Sequence, residues 1–521
     1  MHGNRMMRTM SLVIAVAILG LVGQASADVK PASLFQDNMV LQQGMKVPVW
    51  GTASAGEKVT VTFGGQSVSA IAGKDGKWKA ELGQMKASKD AKPQDLTIAG
   101  SNTVTIKNVL VGEVWICAGQ SNMEFTLVGA NNASDEIAKA NYPQIRMFTV
   151  AKNPQPAPAD SCVGKWAVCS SETAGNFSAV GYFFARYLHK ELGVPVGMIF
   201  TSWGGTLADT WTDIDTLAKL PNHAESVQAF RKATEPLLAD KAAYAKKREE
   251  AAKQPKAAPL PGSSPEEPST LFNGMVAPLI PYAIRGVTWY QGEAHSSCSN
   301  DYYTLFPATI ASWRHAWGEG DFPFYYVQIA NWLTVQKTPV EISGLAGVRD
   351  VQFATLSVPN TGMASAVDIG DKDSPHPGNK QDVGKRLALW ALAKTYGKTG
   401  IVYSGPLYKS VKFAGGKAVL SFDCIGGGLV AKGQPLNGFA IAGADKVYHV
   451  AKAEIVGDTV VVSSEKVPQP ASVRYSFASN PVGNLYNKAD LPASPFRTDD
   501  WGIETIKSAP GETFAVPAVN K

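Results

Sequence analysis

Val114-Trp115-Ile116-Cys117-Ala118-Gly119-Gln120-Ser121-Asn122-Met123-Glu124 is an apolar run that passes, across one glycine, into a polar segment able to start a helix. A short apolar run closed by glycine reads as a strand buried on both faces, with the glycine marking the turn. Ser121 then stands where a buried strand hands over to a helix. A serine hydroxyl is a weak nucleophile at neutral pH, and using one takes a base, a group that orients the base, and donors for the developing oxyanion. The rest of the chain has to supply those three parts.

Outward from this segment the pattern alternates. Apolar strand candidates at 113–118, 196–201, 286–291, 324–330 and 362–369 are interleaved with helical stretches, and in the helix predicted near 178–192 Val180, Phe183, Phe184, Tyr187 and Leu188 share one face. Strands apolar on both sides and joined through helices imply an α/β fold with a parallel sheet covered on both faces. Ligands bind beyond the carboxyl ends of such strands, where Ser121 lies. Residues 28–110 contain short β-branched runs such as Val59-Thr60-Val61-Thr62-Phe63 between turns, as expected of a β-sandwich-like domain. The α/β domain is expected over 111–400, with a charged, Ala-rich and then Pro-rich insertion near 215–270, and a second β-rich domain over 401–521.

The 521 residues carry 49 Lys and Arg against 44 Asp and Glu, a net charge of +5 that is small for the length. The lysines are scattered and form no basic stripe, so no nucleic-acid partner is expected. Arg5 and Arg8 precede the apolar run Leu12 to Val22, and Ala25-Ser26-Ala27 offers a cleavage site: residues 1–27 read as a signal peptide. That run is shorter than the roughly 20 residues a membrane-spanning helix needs. A periplasmic or secreted protein follows, with no stable membrane insertion after cleavage. Of the five cysteines, Cys162 and Cys169 bracket a loop and could pair in an oxidising compartment, whereas Cys117 reads as a small apolar core group.

Three blocks, Gly119-Gln120-Ser121-Asn122-Met123, Trp289-Tyr290-Gln291-Gly292-Glu293 and His376-Pro377-Gly378-Asn379-Lys380, occur in the order seen in the sialate O-acetylesterase-like carbohydrate esterases of the SGNH hydrolase superfamily, which this chain resembles from about residue 31 to about residue 500. The resemblance implies an SGNH-hydrolase-like (flavodoxin-like) sheet and a serine esterase that releases acetate from an O-acetylated carbohydrate, a sialic acid 9-O-acetyl group or acetylated xylan, without metal or organic cofactor. It also implies an oxyanion hole made by the Ser121 and Gly205 N–H groups, Gly205 lying in Thr201-Ser202-Trp203-Gly204-Gly205-Thr206 after a strand, and by the Gln291 side chain.

The base follows from elimination among seven histidines. His2 lies in the leader, His189 and His315 lie on helices, His223 and His449 lie outside the blocks, and His376 stands in a polar turn between a strand and a helix. His376 is the expected general base. For the orienting acid, Asp373 has the Asp-x-x-His spacing of SGNH enzymes generally, but Ser374 stands where many members of the resembling group carry Asp, and Glu293 competes for the role. Asn122, Trp203, Trp289 and His295 are candidate substrate contacts; a metal role for His295 lacks a second ligand at metal-binding spacing. A non-catalytic glycan-binding protein and a serine peptidase are the rival classes. The first leaves the blocks without a use, and the second lacks the Gly-x-Ser-x-Gly elbow of α/β-hydrolases.

Overall fold

A computed structural model describes residues 28–87, 90–253 and 259–514, and the expected signal peptide at 1–27 lies outside them. The centre of the fold is a sheet of strands β1 (Thr103–Gly119), β2 (Tyr142–Thr149), β3 (Trp166–Cys169), β4 (Val196–Ser202), β5 (Gly286–Tyr290), β6 (Phe324–Gln328) and β7 (Thr361–Ser365), ordered β3-β2-β4-β1-β5-β6-β7. All pair in parallel except β3, which closes one edge antiparallel to β2. The strands are apolar on both sides because helices cover both faces. Trp115 of β1 packs against Phe184 of helix α2 (Ala179–Leu192), and Trp289 of β5 against Phe306 and Trp313 of helix α3 (Ser299–Trp317) on the other face. Ser178 caps α2 by accepting from Gly181 N (3.1 Å) and donates to Met123 O (2.7 Å), which fastens that helix to the segment after Ser121.

The expected boundary at residue 110 falls inside a strand. β1 is 17 residues long; its first half pairs with Gln94–Ala99 in the N-terminal β layers and its second half forms the middle of the central sheet. One apolar core accordingly runs from Val29 to Leu392. A strand expected over 362–369 ends at Ser365, and β2 and β3 complete the sheet where no strand was expected. The insertion contributes helices Ala224–Leu238 and Lys241–Ala252. Beyond residue 400 three further sheets form, of four, two and five strands and mostly antiparallel, with a core of their own around Leu420, Phe439, Tyr475 and Phe496. Arg349, buried in helix α4 (Gly344–Ala354), donates to the carbonyls of Ile329, Ala330, Ala478 and Ser479, so the loop after β6 and the C-terminal part share one anchor.

All five cysteines are free; Cys162 Sγ lies against Ser33 Oγ and Cys169 in the β3 edge strand, so the pairing considered for them is not formed. Cys117 is wholly buried and burial pushes its thiol pKa up, as expected for a packing group rather than a nucleophile. Among the described residues no helix is long and apolar enough to cross a membrane.

Candidate active site

The strand ends come together first. Gly119, Ser202 and Tyr290 are register partners at the carboxyl ends of β1, β4 and β5. Gly119 has φ +136°, and a Cβ there would lie 2.2 Å from the Tyr290 carbonyl oxygen. Only glycine lets β1 turn so close to β5. Gln120 N then donates to Tyr290 O (2.9 Å), and Ser121 opens the one-turn helix α1 (Ser121–Glu124).

Ser121 Oγ lies 2.8 Å from His376 Nε2. Burial, aided by the Lys380 charge, lowers the His376 pKa, so the imidazole is neutral at pH 7 and Nε2 can take the serine proton. The His376 backbone is fixed by its neighbours: His376 N donates to Ser374 Oγ (3.1 Å), and the fully buried Asn122 donates from Nδ2 to Pro375 O (2.9 Å) and to Glu293 Oε1 (2.6 Å). Lys380, the first residue of helix α5 (Lys380–Trp390), donates to Asn122 Oδ1 and sits over the rings of Phe125 (4.8 Å) and Tyr290 (5.4 Å). Burial brings its pKa down to about 7, against the opposing pull of Glu293. Asn379 caps α5 by accepting from Asp382 N (3.1 Å). The His-Pro-Gly-Asn-Lys block thus delivers a base, a cap and a buried cation in five residues.

The second loop lies across from the histidine. Gly204 N donates to Glu124 Oε2 (2.6 Å), whose other oxygen pairs with Lys152, and Trp203 N donates to Gly119 O (3.1 Å). Gly205, at φ +81°, lines the cleft beside Ser121, and among the described residues neither its amide nor that of Ser121 meets an acceptor. Two N–H groups are therefore uncommitted at the nucleophile. The cleft, about 920 Å³, is completed by Gln120, Thr206, Leu207, Thr210, Glu266, Glu293, Ala294, Trp332 and Pro375.

Several sequence expectations are placed elsewhere. Gln291 is wholly buried, and its amide hydrogens go to Thr206 O (3.2 Å) and His295 Nδ1 (2.9 Å), while Tyr302 donates to its Oε1 (2.8 Å); no hydrogen remains for an oxyanion. It braces the Gly204-Gly205-Thr206 turn from behind. His295, buried and stacked on Tyr302 at 4.4 Å, has its pKa brought down to about 4 by burial and is a neutral acceptor rather than a substrate contact. Trp289 is core, Asn122 holds the histidine turn, and Trp203 lies under Lys152 outside the cleft wall. Asp373 is exposed and paired with Lys372 (2.6 Å). Among the described residues neither Asp373 nor Glu293 makes a hydrogen bond to His376 Nδ1; Glu293 is half-buried, but its Oε2 is shut off from solvent without a partner, and desolvation raises its pKa. The sequence reading missed Gln120, whose Oε1 accepts from the Gly292 and Ala294 amides at 3.4 and 3.3 Å and whose Nε2 has no acceptor among the described residues. Its place beside the serine was the available signal. No group of His, Cys, Asp and Glu able to hold a metal occurs among the described residues.

A family model described as carbohydrate esterase, sialic acid-specific acetylesterase, matches residues 267–393, the segment that carries Glu293, His376 and Lys380. The sialate O-acetylesterase of Rattus norvegicus is 31% identical over 441 residues, 78% of this chain and 80% of that protein. The chain belongs to this carbohydrate esterase family. The Homo sapiens sialate O-acetylesterase is 30% identical over 429 residues, 75% of each chain. Among solved structures, XAC1771, a carbohydrate acetylesterase from Xanthomonas citri, superposes with a TM-score of 0.78 at 36% identity, covering 91% of this chain and all of that one. As a carbohydrate esterase the chain is a carboxylic ester hydrolase, and its Ser121–His376 contact is the arrangement such chemistry uses.

Proposed function

We propose that this carbohydrate esterase releases acetate from O-acetylated sugars through a Ser121 acyl-enzyme. Ser121 Oγ attacks the acetyl carbonyl while His376 Nε2 takes its proton and returns it to the leaving sugar hydroxyl. The tetrahedral oxyanion sits against the Ser121 and Gly205 amides, with the uncommitted Gln120 Nε2 in the part first assigned to Gln291. Water, activated by the same histidine, then frees acetate. The observation that carries this reading is the 2.8 Å Ser121–His376 contact at the floor of a cleft beside two free amides.

The sheet order and the serine at the end of β1 support the SGNH-hydrolase-like assignment of the α/β part, and the leader pattern supports cleavage near residue 27 and a periplasmic or secreted enzyme. The substrate is an O-acetylated carbohydrate, and nothing in the mechanism uses a cofactor. Ser121→Ala is expected to lower kcat on 4-nitrophenyl acetate by about 10⁴-fold or more. Wild-type turnover by that variant would sink the mechanism.

A further inference from the structure

Two segments that line the cleft are not used by the reaction at Ser121. Trp332, half-buried, is held on the loop after β6: Asn331 Nδ2 donates to Asn480 Oδ1 (2.8 Å), Asn480 Nδ2 donates to Leu333 O (2.8 Å), and Trp332 N reaches Ser479 O (3.3 Å). Glu266 comes from the insertion. Its loop is shaped by the next residue, Glu267, whose carboxylate accepts from Gly262 N (2.9 Å) and Ser264 N (3.0 Å), while Glu266 N donates to Ser264 Oγ (3.2 Å). The Glu266 carboxylate itself is exposed, lines the cleft, and has no donor among the described residues.

Charge in the cleft is one-sided. Among the described lining residues there are two glutamates, Glu266 and Glu293, and no lysine or arginine. The nearby cations are engaged: Lys152 with Glu124, Lys372 with Asp373, and Lys380 behind the wall with Asn122. A free carboxylate facing a ring-sized space accepts hydrogen bonds from sugar hydroxyls, and a half-buried indole offers a face on which a sugar ring can lie. The same carboxylate repels an anion that finds no cation to pair with.

We infer that Glu266 and Trp332 form a sugar subsite that selects an uncharged acetylated sugar over a carboxylate-bearing one such as a sialic acid. This rests on the esterase reading above and narrows it. Glu266 acts as the specificity-determining residue, taking hydroxyl hydrogens of the sugar and opposing a second negative charge.

The test compares acetate release by the full-length enzyme from 9-O-acetyl-N-acetylneuraminic acid, from its carboxyl methyl ester, which removes the charge, and from acetylated xylo-oligosaccharides. Wild type is expected to show kcat/KM about tenfold or more higher on the methyl ester than on the free acid, and higher still on the neutral oligosaccharides. Glu266→Gln should bring ester and acid to within about threefold, and Glu266→Lys should invert their order. Trp332→Ala should raise KM on the oligosaccharides more than it lowers kcat. Because the acid-to-ester comparison is a ratio within one preparation, and KM does not depend on the active fraction, partial misfolding of a variant does not mimic either effect. Equal turnover of acid and ester by wild type, or a ratio unchanged in Glu266→Gln, overturns the subsite. No turnover of 4-nitrophenyl acetate by wild type overturns the esterase reading instead.

Discussion

Gly119→Ala tests whether the backbone at the end of β1 is what places the nucleophile. An added Cβ would stand 2.2 Å from Tyr290 O, against a floor of 3.0 Å for real contacts, so the strand end must move by about 0.8 Å (3.0 − 2.2). The obstacle is backbone of the neighbouring strand, held in register by the β1–β5 ladder, and cannot swing aside. An L side chain at φ +136° adds strain of roughly 1–3 kcal/mol. Ser121 lies two residues further on, and its 2.8 Å contact with His376 has no slack of that size. A misplacement near 1 Å at reacting groups costs about 10²-fold in rate. The expected result is a loss of about 30- to 100-fold in kcat/KM on 4-nitrophenyl acetate, about 2–3 kcal/mol in activation free energy, with a lower melting temperature. Turnover within twofold of wild type, with unchanged melting, would refute the claim that this glycine sets the serine.

Other consequences follow from the contacts around the site. Lys380→Met removes a charge that depresses the His376 pKa, so the acid limb of the kcat/KM–pH profile should move to higher pH; an unmoved limb would leave burial as the whole cause. Glu124→Ala frees Gly204 N and should lower kcat by about 10- to 100-fold with a smaller change in KM, since the loop presents oxyanion donors rather than ground-state contacts. His295 has a folded pKa of about 4 against 6.5 when exposed, so the unfolded chain binds the extra proton first and stability falls as pH drops from about 6.5 to 4. That contribution is about 3 kcal/mol. His295→Asn should therefore show a smaller difference in urea midpoint between pH 7 and pH 4.5 than wild type does, and an equal difference would count against a buried neutral imidazole.

Much of the sheet was legible because parallel strands buried on both sides announce themselves as apolar runs, as in Val196–Ser202 and Phe324–Gln328. β2 was not, since Pro143, Gln144 and Arg146 interrupt its pattern. The guanidinium of Arg146 is buried among the carbonyls of Pro143 in its own strand and of Asn38 and Asn108, which are distant in sequence. The nucleophile and base could be read because each stands in a short block at an element end. The supporting residues could not. Whether Trp289 or Gln120 faces the cleft depends on which side of a strand end points to the loop, and a one-residue change reverses it. The family resemblance implied an oxyanion role for Gln291, and the sequence could not show that Thr206, His295 and Tyr302 occupy its carboxamide.

The group behind His376 is where geometry and pattern part most. Asp373 has the right spacing, yet its carboxylate is 75% exposed and bound to Lys372. Such a surface pair contributes about 0–1 kcal/mol, so Asp373→Ala should leave kcat within about threefold of wild type. If Asp373 instead held the Nδ1–H tautomer, the loss would approach 10⁴-fold. Glu293 is in the opposite situation: its Oε2 is shut off from solvent, and Asn122 links its Oε1 to the Pro375 carbonyl immediately before the histidine. Its route to His376 passes through the backbone. Glu293→Gln keeps an acceptor for Asn122 but withdraws the negative charge that opposes the lowering of the Lys380 pKa, so Lys380 should lose its proton more readily. A neutral Lys380 no longer disfavours the imidazolium, and the acid limb should shift upward as in Lys380→Met, with kcat lowered far less than 10⁴-fold. A 10⁴-fold loss in Glu293→Gln with an unmoved limb would instead make Glu293 the direct orienter, reached only once substrate is bound.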